Sequence, residues 1–277
     1  MKTAIVCEGG GMRGAFTAGV LEYFMEQELW ADELIGVSAG ASGSISYVSR
    51  QKDRCRATMM DYLDVEPYVS LKSLVKTGFL FNMDFLFDRL PNQLNQFDYD
   101  TFYQNPCQFY AGATDVETGK IHFFSKEDLT PKCEMLRASC ALPMISRLVK
   151  VKDRYYLDGG IADSIPYQKA IEDGCERIIV ILTRPRDYQK KPQSGKTWYR
   201  RKYRKYPNLI YAIEHRHEMY NRELSELRRL EKEGRVIVIA PRQKLDLTKF
   251  ERDQTKLQKA YEEGRECARI MLEQLEQ

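Results

Sequence analysis

A chain of 277 residues, 43% hydrophobic and 30% charged, carries enough apolar material for one large domain or two small ones, and its composition is that of neither a disordered nor a fibrous protein. Its formal net charge of +3 says little by itself, so charged partners must be read from where basic residues cluster. The seven cysteines (Cys7, Cys55, Cys107, Cys133, Cys140, Cys175 and Cys267) are odd in number, scattered in spacing and without a C-x-x-C pair, which argues against a disulfide framework and a zinc site. No stretch approaches the ~20 apolar residues of a membrane span. The run Thr3–Cys7 is too short for a signal-peptide core, so a soluble, cytoplasmic chain is expected, with any membrane contact peripheral.

In chain order, Thr3–Cys7 is a short apolar run ending at glycines and reads as a buried strand. Ala15–Phe24 has apolar residues at helical spacing, Leu34–Val37 is a second strand, and Ala39–Ser49 continues as a helix of small residues. Strand, helix, strand, helix predicts a parallel sheet covered by helices. Residues 51–105 mix aromatics with Asp and Asn and read as helices and loops over one end of that sheet. Gln108–Thr114 and Ile121–Phe124 form a hairpin about Glu117-Thr118-Gly119-Lys120. A short helix, Cys133–Cys140, stops before Pro143. Leu148–Val151 and Tyr155–Leu157 make a second hairpin that ends at Asp158-Gly159-Gly160. A helix opened by Pro166 and running to Gly174 leads into the strand Arg177–Thr183. Then follow a basic, aromatic stretch from Arg184 to Pro207, an amphipathic helix from Leu209 to about Glu233, a strand Arg235–Ala240 and a charged helix from about Thr248 to Gln277.

Two glycine motifs sit at the ends of the first two strands. Gly36-Val37-Ser38-Ala39-Gly40 has the G-x-S-x-G form, whose flanking glycines (Gly36 and Gly40) make room for a sharp strand-to-helix turn that exposes a serine hydroxyl. Glu8-Gly9-Gly10-Gly11-Met12-Arg13-Gly14 admits two readings. Gly9, Gly11 and Gly14 satisfy the dinucleotide pattern G-x-G-x-x-G, but that fold wants an acid at the end of the second strand, and here Asp32 and Glu33 precede it. The alternative is an oxyanion hole: the N–H groups of Gly9, Gly10 and Gly11, with that of Ala39, face a reacting carbonyl, and Arg13 and Gly14 support the loop.

A serine nucleophile needs a base. The chain has three histidines: His122 in a strand, and His215 and His217 in Glu214-His215-Arg216-His217-Glu218 on a charged helix. The order Ser38, Asp158, His215 is that of an α/β-hydrolase triad, so a histidine base stays open on sequence alone. The other candidate is Asp158 itself, on a tight turn at the edge of the core, where partial burial raises the proton affinity of a carboxylate.

These segments resemble the patatin-like phospholipase family. Glu8–Gly14 is similar to the family's acidic, triple-glycine, basic-glycine loop, Gly36–Gly40 to its nucleophile elbow, Ala138-Ser139-Cys140-Ala141-Leu142-Pro143 to its Ala-Ser…Pro segment, and Asp158-Gly159-Gly160 to its Asp-Gly-Gly/Ala motif. Glu8 departs mildly, since many members have Asp there. The resemblance implies a Ser38–Asp158 dyad without a catalytic histidine, an α/β/α fold with a mainly parallel sheet, and hydrolysis of lipid esters without a metal or organic cofactor. It covers residues 1–183, a catalytic core. Residues 184–277 match no motif and are expected to pack as helices and one strand on the same single domain.

The stretch Arg184–Pro207 carries ten basic residues against one acid, Asp187, with Trp198, Tyr199, Tyr203 and Tyr206 interleaved. It reads as a solvated face or as a surface for anionic membrane, where each Lys or Arg contributes about 1 kcal/mol. Nucleic acid is the weaker reading, because no nucleic-acid fold motif accompanies the charge.

Overall fold

The computed structural model describes residues 1–66 and 68–275. β1 (Thr3–Cys7), α1 (Gly14–Glu26), β2 (Glu33–Val37) and α2 (Ala39–Val48) follow one another as the periodicity predicts. The region between 51 and 105 is helical: α3 (Arg54–Met60), α4 (Leu71–Thr77), a π-helical stretch Phe85–Leu94 that contains Pro91, and α5 (Tyr99–Gln104). β3 (Gln108–Asp115) and β4 (Ile121–Ser125) are an antiparallel hairpin. After α6 (Glu134–Ser139), β5 (Val149–Val151) and β6 (Arg154–Asp158) form another. The chain continues through α7 (Tyr167–Glu172), β7 (Arg177–Ile181), α8 (Lys196–Lys202), α9 (Pro207–Lys232), β8 (Val236–Ile239) and α10 (Gln254–Leu275).

α10 starts six residues later than its charge pattern suggests. The Asp253 carboxylate accepts the N–H groups of Thr255 and Lys256, so the first free helical amides are capped there and not at Thr248. Glu276 and Gln277, part of the predicted helix, lie outside the described residues.

Strands β3, β2, β1, β7 and β8 run parallel in that order, and β4, β5 and β6 are antiparallel additions. Period-two alternation sorts the strand side chains between the two faces. Ile5, Cys7, Leu34, Ile179 and Ile181 enter one core with Phe16, Val20 and Phe24 of α1 and Ala268 of α10. Ala4, Val6, Ile35, Ile178 and Val180 enter the other with Tyr167 of α7 and Tyr220, Leu224 and Leu227 of α9. The result is the three-layer α/β/α fold with a mainly parallel sheet and helical C-terminal additions that the sequence implies. All seven cysteines are free thiols, six of them buried.

The C-terminal third is fastened to the core at two glycines. A Cβ on Gly19 of α1 would stand 2.0 Å from the Tyr261 carbonyl oxygen, and one on Gly264 of α10 would stand 2.1 Å from that of Phe16. Backbone meets backbone there, so no rotamer relieves the clash. Gly264→Ala is expected to destabilise the fold by about 2 kcal/mol despite the helix propensity it gains, measured as a lower urea midpoint at unchanged m-value.

In the basic stretch, the interleaved aromatics divide. Tyr199 and Tyr203 are buried, 2% exposed each, and belong to the core under α8, whereas Trp198 is half exposed. Two of the four aromatics expected on a surface therefore serve packing. Arg186 is paired with Glu231 and Arg200 with Glu214, so part of the positive charge is already compensated.

Candidate functional site

β2 ends at Val37 and α2 begins at Ala39, which leaves Ser38 to make the whole turn. Its backbone lies at φ 55°, ψ −126°, a region that costs a non-glycine residue about 1–3 kcal/mol. Surrounding bonds hold it there. The Ser38 N–H donates to Ser139 Oγ at 2.8 Å, Ser139 Oγ donates on to the Gly112 carbonyl at 2.7 Å, and the Ser38 carbonyl accepts from the Ser42 N–H at 3.0 Å. Side chains at the two neighbouring glycines are sterically barred: a Cβ on Gly36 would come within 2.6 Å of Ala41 backbone, and one on Gly40 within 2.4 Å of the Cys7 carbonyl. Ser139 stands within the Ala-Ser…Pro segment, but its bridging role was not legible from that match. Ser139→Ala leaves two buried backbone groups without a partner and is expected to cost about 1–3 kcal/mol, read by chemical denaturation.

The glycine loop lies against this elbow, with the Cβ position of Gly9 3.0 Å from the Val37 carbonyl and 3.1 Å from Ser38 Cβ. Among the described residues, the N–H groups of Gly9, Gly10, Gly11 and Ala39 donate to no protein acceptor, and all four residues line the cavity that Ser38 faces. Gly11 sits at φ +58°, where glycine is at home, and the next amide, Met12, donates to the Lys249 carbonyl at 3.2 Å. Glu8 anchors the loop from below: one carboxylate oxygen accepts from the Tyr220 hydroxyl at 2.7 Å, the other from the Thr183 N–H and hydroxyl. Tyr220 belongs to α9, so the C-terminal third fixes the start of the loop.

β3 is the template that aligns Ser38 with Asp158. Val37 pairs with Gly112 and Asp158 with Ala113, the next residue along. β4 pairs with both Gly112 and Ala113 and occupies the opposite edge of β3. β2 and β6 therefore share one edge and meet end to end, one running up and the other down, with Ser38 just past the end of one and Asp158 at the end of the other. Gly159 is required at this junction, since a Cβ there would stand 2.2 Å from the Gly112 carbonyl. Asp158 is only 2% exposed, more deeply buried than an open turn would leave it. Its N–H donates to the Ala141 carbonyl at 2.8 Å and its carbonyl accepts from Thr114 Oγ1 at 2.8 Å. Its Oδ1 accepts from the Gly160 N–H at 2.9 Å, while its Oδ2 is buried without a partner.

Ser38 and Asp158 both line one cavity of about 300 Å³. Its apolar lining includes Ile45, Phe81, Leu86, Phe87, Leu90 and Leu136. Seven cations also line it: Arg54 and Lys191, and a group of five whose charges act on one another, Arg13, Arg184, Lys190, Arg216 and Lys249. Burial pushes the Lys190 ammonium down to about 7, assisted by the charges of Arg216 and Lys249, and pushes Lys249 down to about 8, with Arg216 next in effect. Burial and then the charge of Arg184 bring Arg13 down to about 10. Cys140 also lines the cavity, but burial holds its thiol up at about 12, so it is no thiolate nucleophile.

Among the described residues lining this cavity there is no histidine. His122 sits on β4 against Phe124 and Tyr156, and His215 stacks on Tyr211 at 3.9 Å with its Nδ1 beside the Tyr211 carbonyl. His217 Nδ1 meets the Glu214 carbonyl. The acids that a dinucleotide site would need are engaged at the far end of the sheet, where Asp32 accepts the Thr3 N–H and Glu33 pairs with Lys2.

An elbow serine, a loop of glycine amides without protein acceptors and a buried aspartate thus stand together on adjoining strand ends of a three-layer α/β/α fold. The sequence profile described as patatin-like phospholipase matches residues 5–171, and the chain belongs to that family. At the level of the family, this is a lipid hydrolase. A second profile, a domain of unknown function (DUF6363), matches residues 206–277. The chain is 29% identical over 293 residues to the uncharacterized protein YjjU of Escherichia coli K12, an alignment covering 98% of this chain and 77% of that protein. The crystal structure of VipD from Legionella pneumophila has the same fold, with a TM-score of 0.52 at 14% identity over 99% of this chain and 67% of VipD.

Proposed function

We propose that the protein is a serine lipid acyl hydrolase in which Ser38 is the nucleophile and Asp158 the base. The observation that carries this reading is the unpartnered, buried Oδ2 of Asp158 on the same edge of β3 as the strained Ser38 elbow. Ser38 Oγ attacks the ester carbonyl carbon and its proton passes to Asp158 Oδ2. The carbonyl oxygen becomes an oxyanion that the free amides of Gly9, Gly10, Gly11 and Ala39 stabilise; one such donor is typically worth about 3 kcal/mol in the transition state. Collapse breaks the ester C–O bond, the departing alcohol takes the proton from Asp158, and an acyl-Ser38 remains. Water then attacks the acyl carbon, gives a proton to Asp158, and releases the fatty acid as Ser38 is reprotonated. No metal or organic cofactor has a part in these steps.

The apolar lining of the cavity accepts the acyl chain, and burial of each methylene contributes about 0.8 kcal/mol. Hydrolysis of a panel of acyl esters by the purified protein tests the reading, and absence of turnover on every ester sinks it.

Among the described residues no helix is long and apolar enough to cross a membrane, so lipid must be reached from the surface. Arg201, Arg204 and Lys205 are exposed and, among the described residues, in no ion pair, and they flank the half-exposed Trp198. Arg200 is left out of this surface because it is held by Glu214 at 2.6 Å. Replacing the three by Gln is expected to weaken binding to anionic vesicles about tenfold or more at low salt, measured by co-sedimentation; equal binding would remove this stretch as a membrane contact.

A further inference from the structure

Five cations that line the cavity have no protein anion or acceptor, although Arg184 lies over the Tyr188 ring and Lys190 over the Tyr220 ring. Among the described residues, the side chains of Arg13, Arg184, Lys190, Arg216 and Lys249 enter no ion pair and donate no hydrogen bond to a protein group. Such a cluster is costly, because each buried charge is desolvated and repelled by the others. Two of them also carry a specific orphan: the Nε of Arg13, a residue only 5% exposed, and the Nε of Arg216 are buried without an acceptor. The two carboxylates on this cavity, Glu8 and Asp158, offset only part of five positive charges, and neither forms an ion pair with the wall. Glu8 is saturated by Tyr220 and Thr183, and Asp158 Oδ1 is held by Gly160. Behind Lys190, Glu223 and Asp163 are held above the ordinary carboxylate range by burial, Glu223 also by the neighbouring Asp163 charge. Unpaired buried donors surrounding a cavity are the complement of a bound anion.

We propose that this wall is a receptor for a phosphate monoester, so that the preferred substrate is an acyl ester whose alcohol carries a terminal phosphate. The proposal rests on the hydrolase reading above and names its substrate class. Position supports it: Arg216 Nη2 lies 3.0 Å from the Cβ position of Gly160, beside Asp158, and Lys249 hangs over the glycine loop through its backbone. An ester carbonyl at Ser38 with its acyl chain on the apolar lining therefore points its alcohol at the five cations. Charge selects the form of phosphate. A monoester brings −1.5 to −2 at neutral pH and three acceptor oxygens, whereas a choline headgroup brings a cation to a wall that already repels one. The apolar lining disfavours a nucleic-acid backbone, which has nothing to cover it. Burial and the neighbouring cations hold the Lys190 ammonium down, and a phosphate bound beside it would favour the charged form.

The arrangement also gives the C-terminal third a function. Of the five cations only Arg13 comes from the motif-bearing core; Arg184 and Lys190 come from the basic stretch, Arg216 from α9 and Lys249 from the turn before α10. Part of the charge that reads in sequence as a membrane surface is folded inward over the site.

The test has a binding arm and a turnover arm. The Ser38→Ala protein is titrated calorimetrically with lysophosphatidic acid below its micellar concentration and with inorganic phosphate. The expected result is saturable binding of lysophosphatidic acid, weakened at least tenfold by Arg184→Gln/Lys190→Gln and retained by the charge-conserving Arg184→Lys/Lys190→Arg. Inorganic phosphate binding as tightly as the lipid would make this a free-phosphate site and overturn the headgroup assignment. In the turnover arm, wild type is expected to favour lysophosphatidic acid over monoacylglycerol of the same chain length by more than tenfold in kcat/KM, and the Gln double variant to lose most of that ratio. A ratio near one, or a ratio the double variant leaves intact, overturns the proposal. Turnover of neutral esters without phosphate-dependent binding removes the receptor and keeps the hydrolase. Binding without turnover of any ester keeps the receptor and removes the hydrolase.

Discussion

Ser38→Ala is expected to abolish acyl-ester hydrolysis, lowering kcat by about 10⁴-fold or more, while the protein stays folded. The other hydroxyls on the cavity do not stand at the elbow, and the thiols of Cys55, Cys133 and Cys140 are held protonated by burial. The fold should not notice the change. Alanine and serine meet the same strain at φ 55°, ψ −126°, and the bonds that hold the turn run through backbone groups of residue 38, which the substitution keeps. Stability within about 0.5 kcal/mol of wild type is expected. Ser38→Gly gives the complementary result. It removes the nucleophile and also releases the strain, so it should be inactive and more stable by about 1 kcal/mol. A loss of activity coupled to a gain in stability is the signature of a residue retained for chemistry against the preference of the backbone. Labelling by a fluorophosphonate reports the same site directly, and should vanish in both variants. Wild-type turnover by Ser38→Ala would refute the assignment outright.

The elements legible in the sequence are those whose signal is local. β1 and β2 are short apolar runs closed by glycines, and α1 and α9 carry an uninterrupted apolar stripe, so their spans match the sequence reading to within a residue or two at most ends. The start of α10 is not legible because its cap, Asp253, competes in sequence with Thr248, Glu251 and several other polar residues that look equally able to end a turn. Basic neighbours make Tyr199 and Tyr203 look like surface aromatics; Tyr199 on α8 and Tyr203 at its C-cap, one turn on, both point inward to the core.

The site divides in the same way. Ser38, the glycine loop and Asp158 each sit in a motif with its own local constraint, and the sequence named all of them. What a linear reading lacks is the register of β3, which lays the end of β2 against the end of β6, and the long-range contacts that load the site. Tyr220 reaches Glu8 across 212 positions, and Lys249 touches Met12 across more than two hundred. Neither residue sits in a motif, and nothing in its neighbourhood distinguishes it from other tyrosines and lysines of the charged C-terminal helices and turns.

Asp158→Asn is the second large effect, and it discriminates between the dyad and a triad. Asparagine keeps an Oδ1 that accepts the Gly160 N–H, and the backbone bonds to Ala141 and Thr114 do not involve the side chain. The turn is therefore preserved. The change falls on the unpartnered Oδ2, which becomes an NH₂ that can donate but cannot take a proton from Ser38. Loss of a general base costs about 10²–10⁴-fold, and kcat should fall by that amount with KM little changed. Removing the carboxylate also takes away an anion whose charge reaches Lys249, so a modest loss of stability accompanies the kinetic effect. Under the triad alternative, Asp158 only orients an imidazole, and His215→Ala would be as damaging as Asp158→Asn. With His215 stacked on Tyr211, and His122 and His217 also outside the cavity, each of the three His→Ala variants should keep kcat within about threefold of wild type. Kinetics of the four single variants on one soluble ester decide the matter: a histidine variant as inactive as Asp158→Asn would replace the carboxylate base with an imidazole.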